Sequence, residues 1–157
     1  MANFYEYFAA KENHPTAESV ALQEEEVKNK DIKDIEALMN SMFEYAKKTY
    51  TKPIGVRIIK DGKIIGQKLS EGMGEENLAW LSRKEKVVNK THRSSYWVFL
   101  DSLTHHIYDD MINDEDYAVV GGSMPYIIND KFRGMITCTG LSPEEDHDVV
   151  YRSLSKI

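Results

Sequence analysis

Three groups of residues have the types that chemistry requires. In Glu145-Asp146-His147 an imidazole directly follows carboxylates, the arrangement of a ligand or acid–base group held by its neighbour. The run Arg83, Lys84, Lys86, Lys90, His92 and Arg93 offers an anion or an acidic partner a place to settle; on a helix the same residues spread around a solvated face. The densest set of potential metal ligands is His105-His106-Ile107-Tyr108-Asp109-Asp110. Imidazole and carboxylate suit zinc, iron or nickel, and in a helix His106 and Asp110 share a face. Their spacing matches no strong metal signature, so no metal site is assigned.

The elements that position these groups can be read from periodicity. Tyr117 to His147 reads as strand, turn, strand and a capped helix. Apolar runs at Met124–Ile128 and Met135–Thr139 flank a polar five-residue connection, the pattern of a hairpin. Gly121 and Gly122 interrupt the first strand, which signals a bulge or a close approach by a ligand or another backbone. Ser142, Pro143 and Glu145 form a capping box ahead of the stripe Val149, Val150 and Leu154. Upstream, residues 1–15 read as an arm, either loose or packed on a neighbouring subunit, and residues 16–157 as one domain. Thr16 caps a helix over 17–29. Asp31 offers a cap to the next, whose buried stripe is Ile32, Ile35, Met39, Met42, Phe43, Ala46 and Tyr50. Asp61-Gly62 joins strands 54–60 and 63–69. Helices follow over 75–90, which contains Trp80 at a core edge or pocket wall, and over 95–103.

Composition narrows the function. The 157 residues fit one domain that buries roughly two thirds of its unfolded surface. A net charge of −6 opposes nucleic-acid binding. No apolar run approaches a membrane span, and the N-terminus lacks a secretory pattern, so a cytoplasmic location is expected. The single cysteine, Cys138, excludes an intrachain disulfide and reads as a small buried hydrophobe. No Ser-His-Asp arrangement, phosphate-cradling loop or dinucleotide fingerprint is present.

Asn77-x-x-Trp80-x-x-Arg83-Lys84, Arg93-Ser94-Ser95, Tyr117-Ala118 ahead of Gly121-Gly122-Ser123-x-Pro125, Gly134, and Gly140-Leu141 with Glu145-Asp146-His147 together resemble one family. It is the small-protein family with a haem-degrading domain, related to GlcG and HbpS, and within it an uncharacterised branch of bacteria and fungi. The resemblance covers residues 22 to 155. It implies an α+β fold, with a five-stranded antiparallel sheet flanked by helices as in profilin-like folds, and assembly into a homo-oligomer. It also implies binding of haem, another tetrapyrrole or a small anionic ligand. Trp80, Arg83, Lys84, His92, Arg93, Gly121, Gly122 and His147 are the implied ligand-binding residues. Propionates would pair with Arg83, Lys84 or Arg93, and His92 or His147 would approach iron. Members usually carry a histidine directly before the paired glycines, where this chain has Val120, and Leu78 stands where an acid is common.

Two other readings compete with a haem protein. One is a non-enzymatic interaction module presenting the glycine-rich turn or the acidic N-terminal helices to a protein partner. The other is metal-dependent hydrolysis by His105, His106 and Asp109.

Overall fold

In a computed structural model, the described residues are 3–157; Met1 and Ala2, at the start of the expected arm, lie outside them. The helices are α1 (Asn3–Ala9), α2 (Ala17–Val27), α3 (Ile35–Tyr50), α4 (Glu75–Thr91), α5 (Ser95–Ser102), α6 (Asp109–Ile112) and α7 (Pro143–Ser155). The strands are β1 (Gly55–Lys60), β2 (Lys63–Leu69), β3 (Ser123–Ile128) and β4 (Lys131–Thr139). They form one antiparallel sheet in the order β2-β1-β4-β3.

Alternation along β1 and β4 sends successive side chains to opposite faces. Val56, Ile58, Ile136 and Cys138 pack with Met42 and Ala46 of α3 and Val149, Val150 and Leu154 of α7. On the other face Arg57 reaches Glu85 of α4, with its Nε 2.9 Å from Oε2. A second cluster joins Val20, Val87, Tyr96, Val98 and Phe99 to Ala118, Val119 and Val120.

The sheet has four strands where five were expected. Residues 118–122 are buried, yet none is a strand residue, and only Gly122 bonds to the sheet, its carbonyl accepting Cys138 N–H at 2.8 Å. Ala118 N–H donates to the Arg83 carbonyl at the side of α4, and Val120 N–H to the Ala118 carbonyl. A run apolar enough for a strand thus fills the space between helices, because helix backbone and a local turn supply its partners.

The β3–β4 connection is also tighter than expected. Asn129 and Asp130 have φ of 53° and 60°, so two residues turn the chain, and Phe132 already pairs with Ile127. The polar Lys131 and Arg133 belong to β4; Arg133 clamps Asp61 of the other hairpin through two 2.7 Å bonds. That first hairpin turns as expected at Asp61-Gly62, with φ of 53° and 78°.

Asp34 rather than Asp31 caps α3, accepting Ala37 N–H at 3.0 Å. Asp31 instead accepts the Tyr126 hydroxyl at 2.8 Å. The cap of α7 is as expected: Ser142 accepts Glu145 N–H and Glu145 accepts Ser142 N–H. His105–Tyr108 precede α6 in irregular backbone, so His106 and Asp110 do not share a helical face. His105 Nδ1 lies 2.8 Å from Asp101. Among the described residues no three metal-ligating side chains converge.

Candidate functional site

The site begins where β4 runs into α7. Glycine is required on both sides of that junction. A Cβ on Gly121 would lie 2.4 Å from the Pro143 carbonyl oxygen, and one on Gly122, whose φ is +135°, 2.7 Å from the Cys138 carbonyl oxygen. The close approach expected of the paired glycines is therefore present, and what approaches is the chain's own backbone. Room left beside Gly122 is taken by Lys84, whose Nζ is where that Cβ would be crowded, at 2.6 Å.

Lys84 runs from the middle of α4 into this junction and is 2% exposed. Its ammonium donates to Asp146 Oδ2 at 2.8 Å and to the Cys138 carbonyl at 3.0 Å. Asp146, in the first turn of α7, accepts Leu141 N–H at 3.0 Å through Oδ1. Burial pushes its carboxyl up to about 6, against the opposing pull of the Lys84 charge. Burial also pushes the Cys138 thiol up, which keeps it an unreactive thiol.

Beside this pair opens a cleft of about 510 Å³. Its walls are Phe4, Tyr7 and Phe8 of α1, Trp80 of α4, Val120, and the turn through Gly140, Leu141 and Pro143; Glu76, Asn77, Lys84, Thr139 and Asp146 form its polar part. The Phe4 ring meets Trp80 edge to face, with centroids 5.3 Å apart. Tyr5 fixes α1 from behind by stacking edge-on against Phe99 and bonding Ser102 at 2.7 Å. The segment expected as an arm thus contributes a cleft wall within its own chain.

The structure divides the eight expected ligand-binding residues. Trp80, Lys84, Gly121 and Gly122 converge on the cleft or its base, and Arg83 stands beside it with its guanidinium 5.4 Å from the Trp80 ring centre. His92 and Arg93 lie elsewhere, on a groove of about 340 Å³ with Glu24, Met124 and Pro125. There His92 caps the C-terminus of α4 with φ of 59° and stacks on Phe132 at 3.9 Å. Arg93 is held by Glu24 at 2.6 Å and lies over Trp97 at 3.6 Å.

His147 joins neither group. Its Nε2 sits 2.7 Å from Gln23 Oε1, and its ring packs between Tyr96 and Tyr151. Asp146 turns away from it toward Lys84. Burial holds the imidazole down at about 4, so it is neutral near pH 7. The unfolded chain takes up this proton near pH 6.5, before the folded one does. The contribution of His147 to stability is therefore complete above about 6.5 and is lost as pH falls toward 4, by on the order of 3 kcal/mol. Asp146 has the opposite sign, because its raised value favours the folded state on protonation and that benefit disappears as pH rises through 6. Urea unfolding of wild type and H147F between pH 7 and 4.5 separates the two: wild type loses stability relative to the variant as pH falls.

Sequence reasoning missed Phe4, Tyr7 and Phe8 as walls. Their segment is polar with scattered aromatics and has no period that marks a buried face. It also missed that Asp146 serves Lys84, since adjacent helical residues point about 100° apart and the nearest basic neighbour in sequence is not the nearest in space.

Residues 31–155 match the family described as haem degrading protein HbpS-like. A UPF0303 protein of Streptomyces coelicolor is 28% identical over 151 residues, covering 90% of this chain and 95% of that protein. A UPF0303 protein of Rhizobium rhizogenes is 34% identical over 87 residues, and the match spans only 54% of each chain. Among solved structures, the Ybr137w protein superposes with a TM-score of 0.79 at 21% identity, covering 90% of this chain and 87% of that one. PduOC, solved as a complex with heme, gives 0.67 at 14% identity, covering 82% and 94%. HbpS gives 0.61 at 13% identity, covering 94% and 92%. At these identities the structural likeness establishes a shared fold, and the match over 31–155 establishes descent: the chain belongs to the HbpS-like family of haem-degrading-domain proteins.

Proposed function

We propose that the protein binds haem or a related tetrapyrrole in the cleft between α1, α4 and the β4–α7 turn. The observation that carries this reading is the aromatic wall of Phe4, Tyr7, Phe8 and Trp80 beside a space of about 510 Å³. A flat macrocycle gains from burying its face against such rings. Family membership and the fold shared with PduOC, which is described in complex with heme, support the same ligand class.

The polar requirements are met less fully. Lys84 is committed to Asp146 and Cys138, and Arg93 to Glu24, which leaves Arg83 of the expected set beside the wall as a cation for a propionate, with Lys11 over the Tyr7 and Phe8 rings at 5.1 and 5.3 Å as a second and the Glu76 carboxylate opposing both. A small anion bound at the start of α7 is the weaker choice, because Glu144, Glu145 and Asp146 crowd that helix end with negative charge. Neither His92 nor His147 lies on the cleft.

Titrating the purified protein with haemin is expected to give a saturable shift of the Soret band. W80A should weaken it about tenfold, the effect of roughly 1.4 kcal/mol of lost stacking and burial. No saturable shift in wild type removes the reading. The interaction-module reading draws on the exposed Leu22, Tyr7 and Ile107; a stoichiometric protein partner recovered with an empty cleft would favour it. Homo-oligomer assembly and a cytoplasmic location belong to the same proposal. Exposed Ile64 and Ile65 on β2 support the first, and the second is compatible with the finding that no described helix is long and apolar enough to cross a membrane. Light scattering of the purified protein tests the assembly, with a monomer mass counting against it.

A further inference from the structure

None of the five histidines lines the cleft, and neither does Cys138 or any described methionine. His14 borders a separate space of about 50 Å³, too small for a macrocycle. The donors that the described walls do hold are oxygens, and they are engaged elsewhere or stand at the edge. Asp146 is bonded to Lys84 and Leu141 N–H, the Asn77 side chain accepts Gly74 N–H at 3.2 Å, and Thr139 is 4% exposed. Tyr7 and Glu76 are largely in solvent.

The aromatic wall works against axial ligation as well. Stacked carbon atoms meet at about 3.5–4.0 Å, so a ring plane laid on Trp80 leaves no space on that face for a side chain bonded to a central metal. The remaining walls at Val120, Leu141 and Pro143 are apolar. Charge is available at the ring edge instead. The Arg83 guanidinium lies 5.4 Å from the Trp80 ring centre, and the Lys11 ammonium 5.1 Å from that of Tyr7. Both stand where carboxylates at the edge of a stacked ring would meet them. Resting on the tetrapyrrole reading, we infer that the cleft recognises a porphyrin by its face and its edge carboxylates and leaves the metal unligated. The ligand class is the planar porphyrin dicarboxylate, with or without iron.

Protoporphyrin IX and haemin carry the same two propionates and differ at the ring centre. Titrated in one buffer, each followed through its own Soret band, they are expected to bind within about threefold of each other. W80A should weaken both by a common factor through the ring face, and R83Q should do so through the propionates. Electron paramagnetic resonance of the ferric haemin complex should show high-spin iron, which added imidazole converts to low-spin without releasing the haem. Haemin affinity more than about threefold above that of protoporphyrin IX overturns the inference and leaves the tetrapyrrole reading standing. Imidazole- or thioether-ligated iron before any imidazole is added does the same. Saturable uptake of neither compound overturns both.

Discussion

Replacing Lys84 with methionine is expected to cost about 3–5 kcal/mol of folding stability, read as a lower urea midpoint, because it leaves the Asp146 carboxylate buried without its cation. The two side chains are 3% and 2% exposed, so water cannot take the place of the missing partner. Removing both charges together is a different experiment. The K84M/D146L double variant should recover most of the loss, since burial already pushes the Asp146 carboxyl up to about 6 and so offsets much of what the pair gains. If K84M alone unfolds at the wild-type midpoint, the pair does not hold α4 to the β4–α7 junction as described.

The second large effect is expected at Gly134. A Cβ there would lie 1.9 Å from the Ile59 carbonyl oxygen and 2.7 Å from its carbon. Both atoms are backbone of the adjacent strand, and Gly134 pairs with Lys60 on one side and Tyr126 on the other. No rotamer change relieves such a contact; the ladder itself must open. G134A should therefore lose at least about 3 kcal/mol, a fall in Tm on the order of 10 °C for a domain of this size, with poor soluble yield. G74A is the matching control. Nothing lies within 4 Å of its added Cβ, and its cost should stay within about 1 kcal/mol.

Gly134 also shows what the sequence could and could not disclose. Its place in the family pattern was legible, but the carbonyl that requires it comes from Ile59, in a different hairpin. Local signals were read well where the physics is local. The Asp61-Gly62 turn, the Ser142 capping box and the stripe of α3 all depend on residues within one or two turns of each other. The count of strands failed at Ala118–Gly122, where burial between helices and alternation within a sheet give the same apolar run. The candidate site was half legible for the same reason. Trp80 and Lys84 sit one turn apart on α4, so their convergence follows from spacing, whereas His92 and Arg93 lie beyond the helix end and point into another groove.

Helices α1 and α2 precede residue 31, where the match to the family begins, yet α1 builds one whole side of the cleft. The matched scaffold and one wall of the cleft are therefore carried by separable parts of the chain. On the proposed reading, changes at the exposed Tyr7 are expected to alter what the cleft accepts, whereas Phe4 and Phe8 also pack on the second core cluster. Because Phe4 stands near the start of α1 against Trp80, a tag on the N-terminal side should be cleaved before a ligand titration.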